Sequence, residues 1–344
     1  MTLKAPFPYF GGKHRAAPIL WEAFGDPGGY VEPFAGSAAV LLARPSVSGR
    51  RVETLNDADG WLVNTWRAIR LSPDAVADAA SGPVTEIDYH ARLAWLQERR
   101  TPDLVAWLEG DPEHHDAKAA GWWLYVCACS IGEPWQSGPW QVVDGHLRKV
   151  GNAGRGVTRG LRHLGDAGQG VRRELPHFGT AGRGVMRGLP HLGDAGQGIL
   201  RANDGMPLHA YMHALATRLR DVRITCGDWK RVVTPSAMHA TRGGDGSIAI
   251  LLDPPYATSG DLYAHVDADV SHAVREWCMT ADATLRIALC GFEDDHDALL
   301  ARGWRKVQGK AGRGSGYSTD SKAHKRERLW LSPACLSPQM ELGI

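Results

Sequence analysis

The stretch "SIAILLDPPYATSG", Ser247 to Gly260, runs five apolar residues into an acid, two prolines and a tyrosine. An unbroken apolar run of that length, bounded by turn residues, reads as a strand covered on both faces, the kind found inside a parallel sheet. The strand stops at Asp253. Pro254 and Pro255 then fix the backbone and remove two N–H groups, leaving main-chain carbonyls free to accept hydrogen bonds. An acid beside a fixed carbonyl is a receptor for an amino group with two hydrogens, and Tyr256 offers a face to a flat ring. The exocyclic amine of a nucleobase has that shape. A proline-rich strand end would carry the same letters, so the tetrapeptide needs companions elsewhere in the chain.

Working outward, strand-then-helix units appear on both sides. "YVEPFAG" (Tyr30 to Gly36) is a short strand entering a glycine turn before the helical run "SAAVLLAR", and "RVETLND" (Arg51 to Asp57) is a second strand before "GWLVNTWRAIRL". After about Met206 the helix "LHAYMHALATRLRDV", the strand "RITCGDW", the helix "VSHAVREWCMTA" and the strand "TLRIALCGF" continue the alternation. "WRKVQGKA" and "ERLWLSP" read as two last strands joined as a hairpin. Successive strand–helix units predict a parallel sheet with right-handed crossovers, so the fold class is α/β: a Rossmann-like sheet, mostly parallel, with a C-terminal antiparallel hairpin.

Between the halves the texture changes. Residues from 83 to about 130 are helical, with "DYHARLAWLQERR" and "PDLVAWLEG" apolar at helical spacing. A period of fourteen follows: "GNAGRGVTRGLRHL" (Gly151 to Leu164), "GDAGQGVRRELPHF" (Gly165 to Phe178), "GTAGRGVMRGLPHL" (Gly179 to Leu192) and the half unit "GDAGQGI" (Gly193 to Ile199). Pro176 and Pro190 sit where helical turns would need an N–H, so periodicity assigns the repeats no secondary structure. From Arg148 to Arg201, ten cations face three acids, a local charge of +7 on a chain whose net charge is +1. That basic segment is where a polyanion would bind. The chain divides into a catalytic domain in two parts, 1–82 and 206–335, an insert, 83–205, and a tail, 336–344.

Composition bounds the rest. With 43% hydrophobic and 22% charged residues, the 344-residue chain is globular. Its longest apolar stretch, "WWLYVCACSI" (Trp122 to Ile131), is too short to span a bilayer and reads as a core helix. The start "MTLKAPFPYFGGK" lacks the layout of a secretion signal, so a cytoplasmic location and no membrane partner are expected. The six cysteines have neither disulfide-framework nor zinc-ligand spacing, and no metal site is expected.

In an open parallel sheet, ligands bind beyond the carboxyl ends of the strands. Three such ends stand out: "EPFAGSA", where Gly36 lets the backbone approach a ligand; "LNDAD", where Asp57 is placed either to accept ribose hydroxyls or to cap a helix; and "DPPY". In order along the chain, "PYFGGK" (Pro8 to Lys13), "VEPFAGSAAV" (Val31 to Val40), "NDADGWLVNTWRAI" (Asn56 to Ile69), "CGDW" (Cys226 to Trp229) and "DPPY" (Asp253 to Tyr256) resemble the Dam-like, class alpha family of DNA adenine-N6 methyltransferases. The resemblance covers residues 5 to about 70 and 206 to about 332.

The resemblance implies a class I methyltransferase sheet, S-adenosylmethionine as cofactor and double-stranded DNA as partner. It places Phe10, Gly11, Gly12 and Lys13 against the cofactor near the target base. Glu32, Pro33, Phe34, Ala35, Gly36 and Ser37 match the loop around the cofactor's methionine end. Asp57 matches the ribose acid, Asp228 and Trp229 the residues beside the cofactor's adenine, and Asp253, Pro254, Pro255 and Tyr256 the catalytic motif, with Asp253 also at the cofactor. The family usually has glycine where Ala38 stands; the extra methyl bears on helix–strand packing there. The insert corresponds to the target-recognition region.

On this reading Asp253 and the Pro254 carbonyl draw the adenine N6 toward tetrahedral geometry, in line with the sulfonium methyl, without metal or covalent nucleophile. The base must be flipped out of the duplex, stacked on Tyr256. DNA contact is assigned to Arg155, Arg159, Gln169, Arg173, Arg183, Arg187 and Gln197; arginine suits guanine and glutamine suits adenine, so their alternation at positions 155, 169, 183 and 197 reads as base readout. Cytosine N4 or an RNA amine would suit the same receptor, and aspartate at the first motif position leans to adenine by family resemblance. A catalytically silent DNA-binding protein using the repeats alone is the reading from another class. No motif indicates a restriction endonuclease partner, a target site or an oligomeric state.

Overall fold

A computed structural model describes residues 3–7, 9, 12–45, 51–99, 102–129, 140–143, 146–149, 192–194, 198–202, 206–255, 268–308 and 326–336. Seven strands form one mixed sheet: β1 (Gly29–Glu32), β2 (Val52–Asp57), β3 (Val222–Cys226), β4 (Ile248–Leu252), β5 (Arg286–Phe292), β6 (Arg305–Gln308) and β7 (Glu327–Leu331). Their order is β3-β2-β1-β4-β5-β7-β6. The first five strands pair parallel in the 3-2-1-4-5 order of a doubly wound sheet, while β7 pairs antiparallel with both β5 and β6. The closing hairpin read from the sequence is present; that its second strand is inserted beside β5 is new.

Alternation along the strands sorts side chains into two apolar layers. On β4, Ala249 and Leu251 join one layer, Ile248, Ile250 and Leu252 the other. Ala288 and Cys290 face the first layer from β5, while Ile287 and Leu289 face the second. Covered on both sides, β4 has no position that favours a polar residue, which is why it reads as "IAILL".

The first layer is filled by α1 (Ala17–Phe24), α2 (Ala39–Leu42), α3 (Gly60–Leu71), α4 (Pro73–Ala80), α5 (Glu86–Glu98), α6 (Pro102–Gly110), α7 (Ala117–Cys129) and α8 (Leu208–Leu219). The second holds α9 (Pro235–Thr241), α10 (Ala268–Thr280) and two 3-10 turns, Trp229–Val232 and Asp297–Arg302. Helices α5 to α7, in the segment assigned to the insert, share one continuous core with α3, α4 and α8. At Gly121 of α7 the backbones nearly touch: an added Cβ would lie 2.4 Å from the Ala79 Cβ and 2.7 Å from the Val76 carbonyl oxygen. Residues 122–129 of the run "WWLYVCACSI" thus lie in a core helix, as expected.

Two short antiparallel ladders are described in the rest of the insert, Trp140–Val143 with His146–Lys149 and Leu192–Asp194 with Gly198–Ala202. The second falls in the half unit of the repeat. Residues 151–191 of the three full repeats, with Arg155, Arg159, Gln169, Arg173, Arg183 and Arg187, lie outside the described residues, as does Gln197. Among the described residues no helix is long and apolar enough to cross a membrane, and no group of three or more His, Cys, Asp or Glu side chains is arranged to hold a metal ion.

Candidate active site

The carboxyl ends of β1, β2 and β3 are tied together by one side chain. Asn56 donates from Nδ2 to the carbonyls of Pro33 (3.0 Å) and Gly227 (2.9 Å), and its Oδ1 accepts from the Thr225 hydroxyl at 3.0 Å. Its own carbonyl accepts from the Ala35 N–H at 2.8 Å. Asn56 is 1% exposed, so these bonds form away from water. Sequence reasoning singled out its neighbour and passed over Asn56; the available signal was an amide in a strand segment that should be buried.

Asp57 accepts from the Gly36 N–H at 2.9 Å through Oδ2 and from the Asp59 N–H at 3.0 Å through Oδ1. The cap of α3 is Asp59, whose Oδ1 accepts from the Trp61 N–H at 2.9 Å, so Asp57 is not the helix cap. Asp57 instead joins the β1 turn to the end of β2 and faces the cleft between them. Burial raises its carboxyl to about 6, against the pull of the N–H groups it accepts from.

The turn after β1 begins at Pro33, so the strand is shorter than the sequence implied. Gly36 has φ +47°, and a Cβ there would meet the Tyr9 ring at 2.6 Å; the N-terminal segment lies directly on this turn. Gly12 approaches from the same segment, its virtual Cβ 3.3 Å from the Ser37 hydroxyl. Ala38 is left-handed, with φ 48° and ψ 28°. Glycine is therefore favoured at this position for backbone conformation, where the sequence had pointed to packing. Glu32 is buried, its Oε1 accepting from the Tyr30 hydroxyl (2.6 Å) and the Leu41 N–H (2.7 Å). Loss of water raises its carboxyl to about 8 despite those bonds.

At the other wall stands the end of β4. The Asp253 Oδ2 lies 2.6 Å from the Lys13 Nζ, and the same ammonium is 3.0 Å from the Glu327 Oε1 at the start of β7. The Lys13 side chain is 4% exposed and that of Asp253 21%, so the pair sits at the floor of the cleft with the carboxylate reachable from it. Cys290 on β5 lies beside them; burial first, and the nearby Asp253, push its thiol well above the ordinary range. At the end toward β3, the Phe34 and Trp229 rings are 6.0 Å apart and inclined by 31°. Asp228 accepts from the Lys230 N–H at 2.7 Å and so starts the 3-10 turn that carries Trp229.

One cleft is lined by Gly12, Lys13, Glu32, Pro33, Phe34, Ala35, Gly36, Ser37, Asp57, Asp228, Trp229, Asp253 and Pro255, with Tyr9 and Asp59 beside them. It encloses about 190 Å³, where a single water needs roughly 10–15 Å³. The cleft therefore has room for an organic ligand. It opens at the switch point where β1 and β4 diverge. Four carboxylates, Asp57, Asp59, Asp228 and Asp253, line it with the Lys13 ammonium, while burial favours the uncharged form of Glu32; the balance favours a ligand bearing positive charge. Pro254 is buried behind the wall. Phe10, Gly11 and Tyr256 lie outside the described residues. Compared with known proteins, the chain matches no protein-family model and no curated protein.

Proposed function

We propose that the chain transfers the methyl group of S-adenosylmethionine to N6 of a flipped-out adenine in double-stranded DNA. The observation that carries this reading is the gathering of five separate stretches, 12–13, 32–37, 57, 228–229 and 253–255, around one acid-rich cleft at the carboxyl edge of the sheet. Their residue types suit the cofactor. Asp57 keeps lone pairs for ribose hydroxyls beyond its two backbone bonds. Phe34 and Trp229 offer aromatic surface to a purine, and the carboxylate surplus suits a cation.

S-Adenosylmethionine supplies an electrophilic methyl whose leaving group is a neutral thioether. The chain supplies acceptors. The adenine N6 lone pair is delocalised into the ring; hydrogen bonds from its two N–H groups to Asp253 and the Pro254 carbonyl draw the nitrogen toward tetrahedral geometry and direct the lone pair. Extruding the base costs a few kcal/mol, offset by stacking on Tyr256 and phosphate contacts from the basic repeats.

The test is nucleoside mass spectrometry of duplex DNA treated with the purified protein and labelled cofactor. N6-methyladenine is expected, with the rate in Asp253→Ala lower by about 100-fold or more while cofactor affinity stays within a few-fold. Methylcytosine or methylated RNA in its place would overturn the substrate assignment. DNA binding without transfer would leave only a silent DNA-binding protein.

A further inference from the structure

We infer that Lys13, braced by Glu327, is a positioning residue that holds the Asp253 carboxylate charged and aimed, so that the antiparallel strand β7 acts on the reaction without touching substrate. This rests on the methyl-transfer reading of the cleft. Three elements distant in sequence meet at one nitrogen: the turn Lys13–Arg15, the loop after β4 and the first residue of β7. Glu327 is fixed by its register, opposite Phe292 of β5, and is 6% exposed.

Buried ion pairs add little to stability, and apolar replacements of similar volume are often as stable or more so. A lysine buried between two carboxylates is therefore not explained by folding alone. Its effect on Asp253 follows from distance. One oxygen of each carboxylate lies within 3.0 Å of the same ammonium, which puts the two within about 6 Å of each other, where like charges repel. Among the described residues, Cys290 from β5 and Glu32 from β1 are titratable groups that feel this cluster. Burial favours the protonated, uncharged form of both, so neither supplies a countercharge. Lys13 is the cation among the described residues that line the cleft. As the anion, Asp253 accepts an amine hydrogen more strongly than as the neutral acid, which carries a proton on one oxygen, so removing this cation impairs the step itself more than cofactor binding.

The design makes the two partners of Asp253 act in opposite directions. In Lys13→Met the two carboxylates lose the ammonium between them, and the acid limb of the kcat profile moves to higher pH, with kcat at neutral pH lower by about 100-fold. In Glu327→Gln the ammonium no longer faces a second charged carboxylate at 3.0 Å, and the acid limb moves to lower pH with a loss of about tenfold or less. The double variant, freed of the like-charge contact, returns part-way from Lys13→Met.

The experiment is the pH dependence of DNA methylation in these four forms, with the 13C resonance of the Asp253 carboxyl titrated in the ligand-free proteins. Opposite displacements of the two single variants, and partial return in the double, are expected in both readouts. Acid limbs that stay in place, or move in the same direction, overturn the inference. Should Lys13→Met fail to fold, the near-isosteric Glu327→Gln decides by the direction of its own displacement. A wild type inactive on DNA sinks the methyl-transfer reading, while the carboxyl resonance still decides whether Lys13 and Glu327 set the charge on Asp253.

Discussion

Asn56 is the most exacting place to perturb the cleft, because one amide serves three strand ends. Asn56→Ala removes its donations to the Pro33 and Gly227 carbonyls and its acceptance from Thr225. The threonine hydroxyl has a second acceptor, the Leu55 carbonyl at 3.2 Å, so that loss is partly made good. The two carbonyls are the cost: a net hydrogen bond is worth about 0.5–1.5 kcal/mol and a polar group left buried without one costs about 1–3 kcal/mol. The expected destabilisation is roughly 2–4 kcal/mol, a fall in Tm of roughly 3–6 °C for a chain of this size.

Asn56→Asp keeps the shape but, when ionised, offers only acceptors to two carbonyls. It is expected to lose more than the alanine variant at pH 8 and to recover at pH 5, where a retained proton can serve one carbonyl. Urea unfolding at the two pH values, with calorimetric titration of S-adenosylmethionine, measures both effects. A loss under about 1 kcal/mol in Asn56→Ala, or an aspartate variant no more pH-sensitive than wild type, would mean that the loops hold their places without this amide.

Three further outcomes are expected. Ala38→Gly relieves a left-handed alanine worth about 1–2 kcal/mol against about 0.5–1 kcal/mol of added backbone entropy, so thermal unfolding should show a neutral to slightly raised Tm; a clear fall would show that the buried methyl packs for more than its strain. Gly121→Ala should cost about 1–3 kcal/mol in urea unfolding, since its Cβ would collide with α4 and overpacking is rarely absorbed. Glu32 and Asp57 are raised to about 8 and about 6, so both bind protons more tightly folded than unfolded. The stability they favour is complete below their unfolded values near 4 and is lost as pH climbs, through about 6 for Asp57 and about 8 for Glu32. Unfolding of the ligand-free protein across pH 4–9 should show that decline, and Glu32→Gln should flatten its upper part.

The sheet was legible wherever a strand is covered on both faces or ends in a turn residue. β4 and β5 announce themselves as apolar runs, and α3 was read with its observed limits from the run "GWLVNTWRAIRL", although its cap is Asp59 where the sequence had offered Asp57. Helix α4, "PDAVADAA", went unread: its alanines pack against α7 only through the close approach at Gly121, a long-range fact. The docking of β7 beside β5 was equally hidden, since either edge would accept a hairpin locally. Within the site, Asp57 and Asp253 stood out as acids ending apolar strands. Asn56 and Glu327 did not, because each takes its meaning from partners more than twenty residues away, Pro33 and Gly227 for one and Lys13 for the other.

The insertion of β7 also has a consequence for the order in which a growing chain can assemble. On the ribosome, β1 to β5 can pair as they emerge, but β6 has no neighbour in the sheet until β7 arrives to separate it from β5. Asp253 can reach Lys13 long before residue 327 has been polymerised. The acid that braces Lys13 from the far side of Asp253 thus arrives with the last main-sheet strand to be translated.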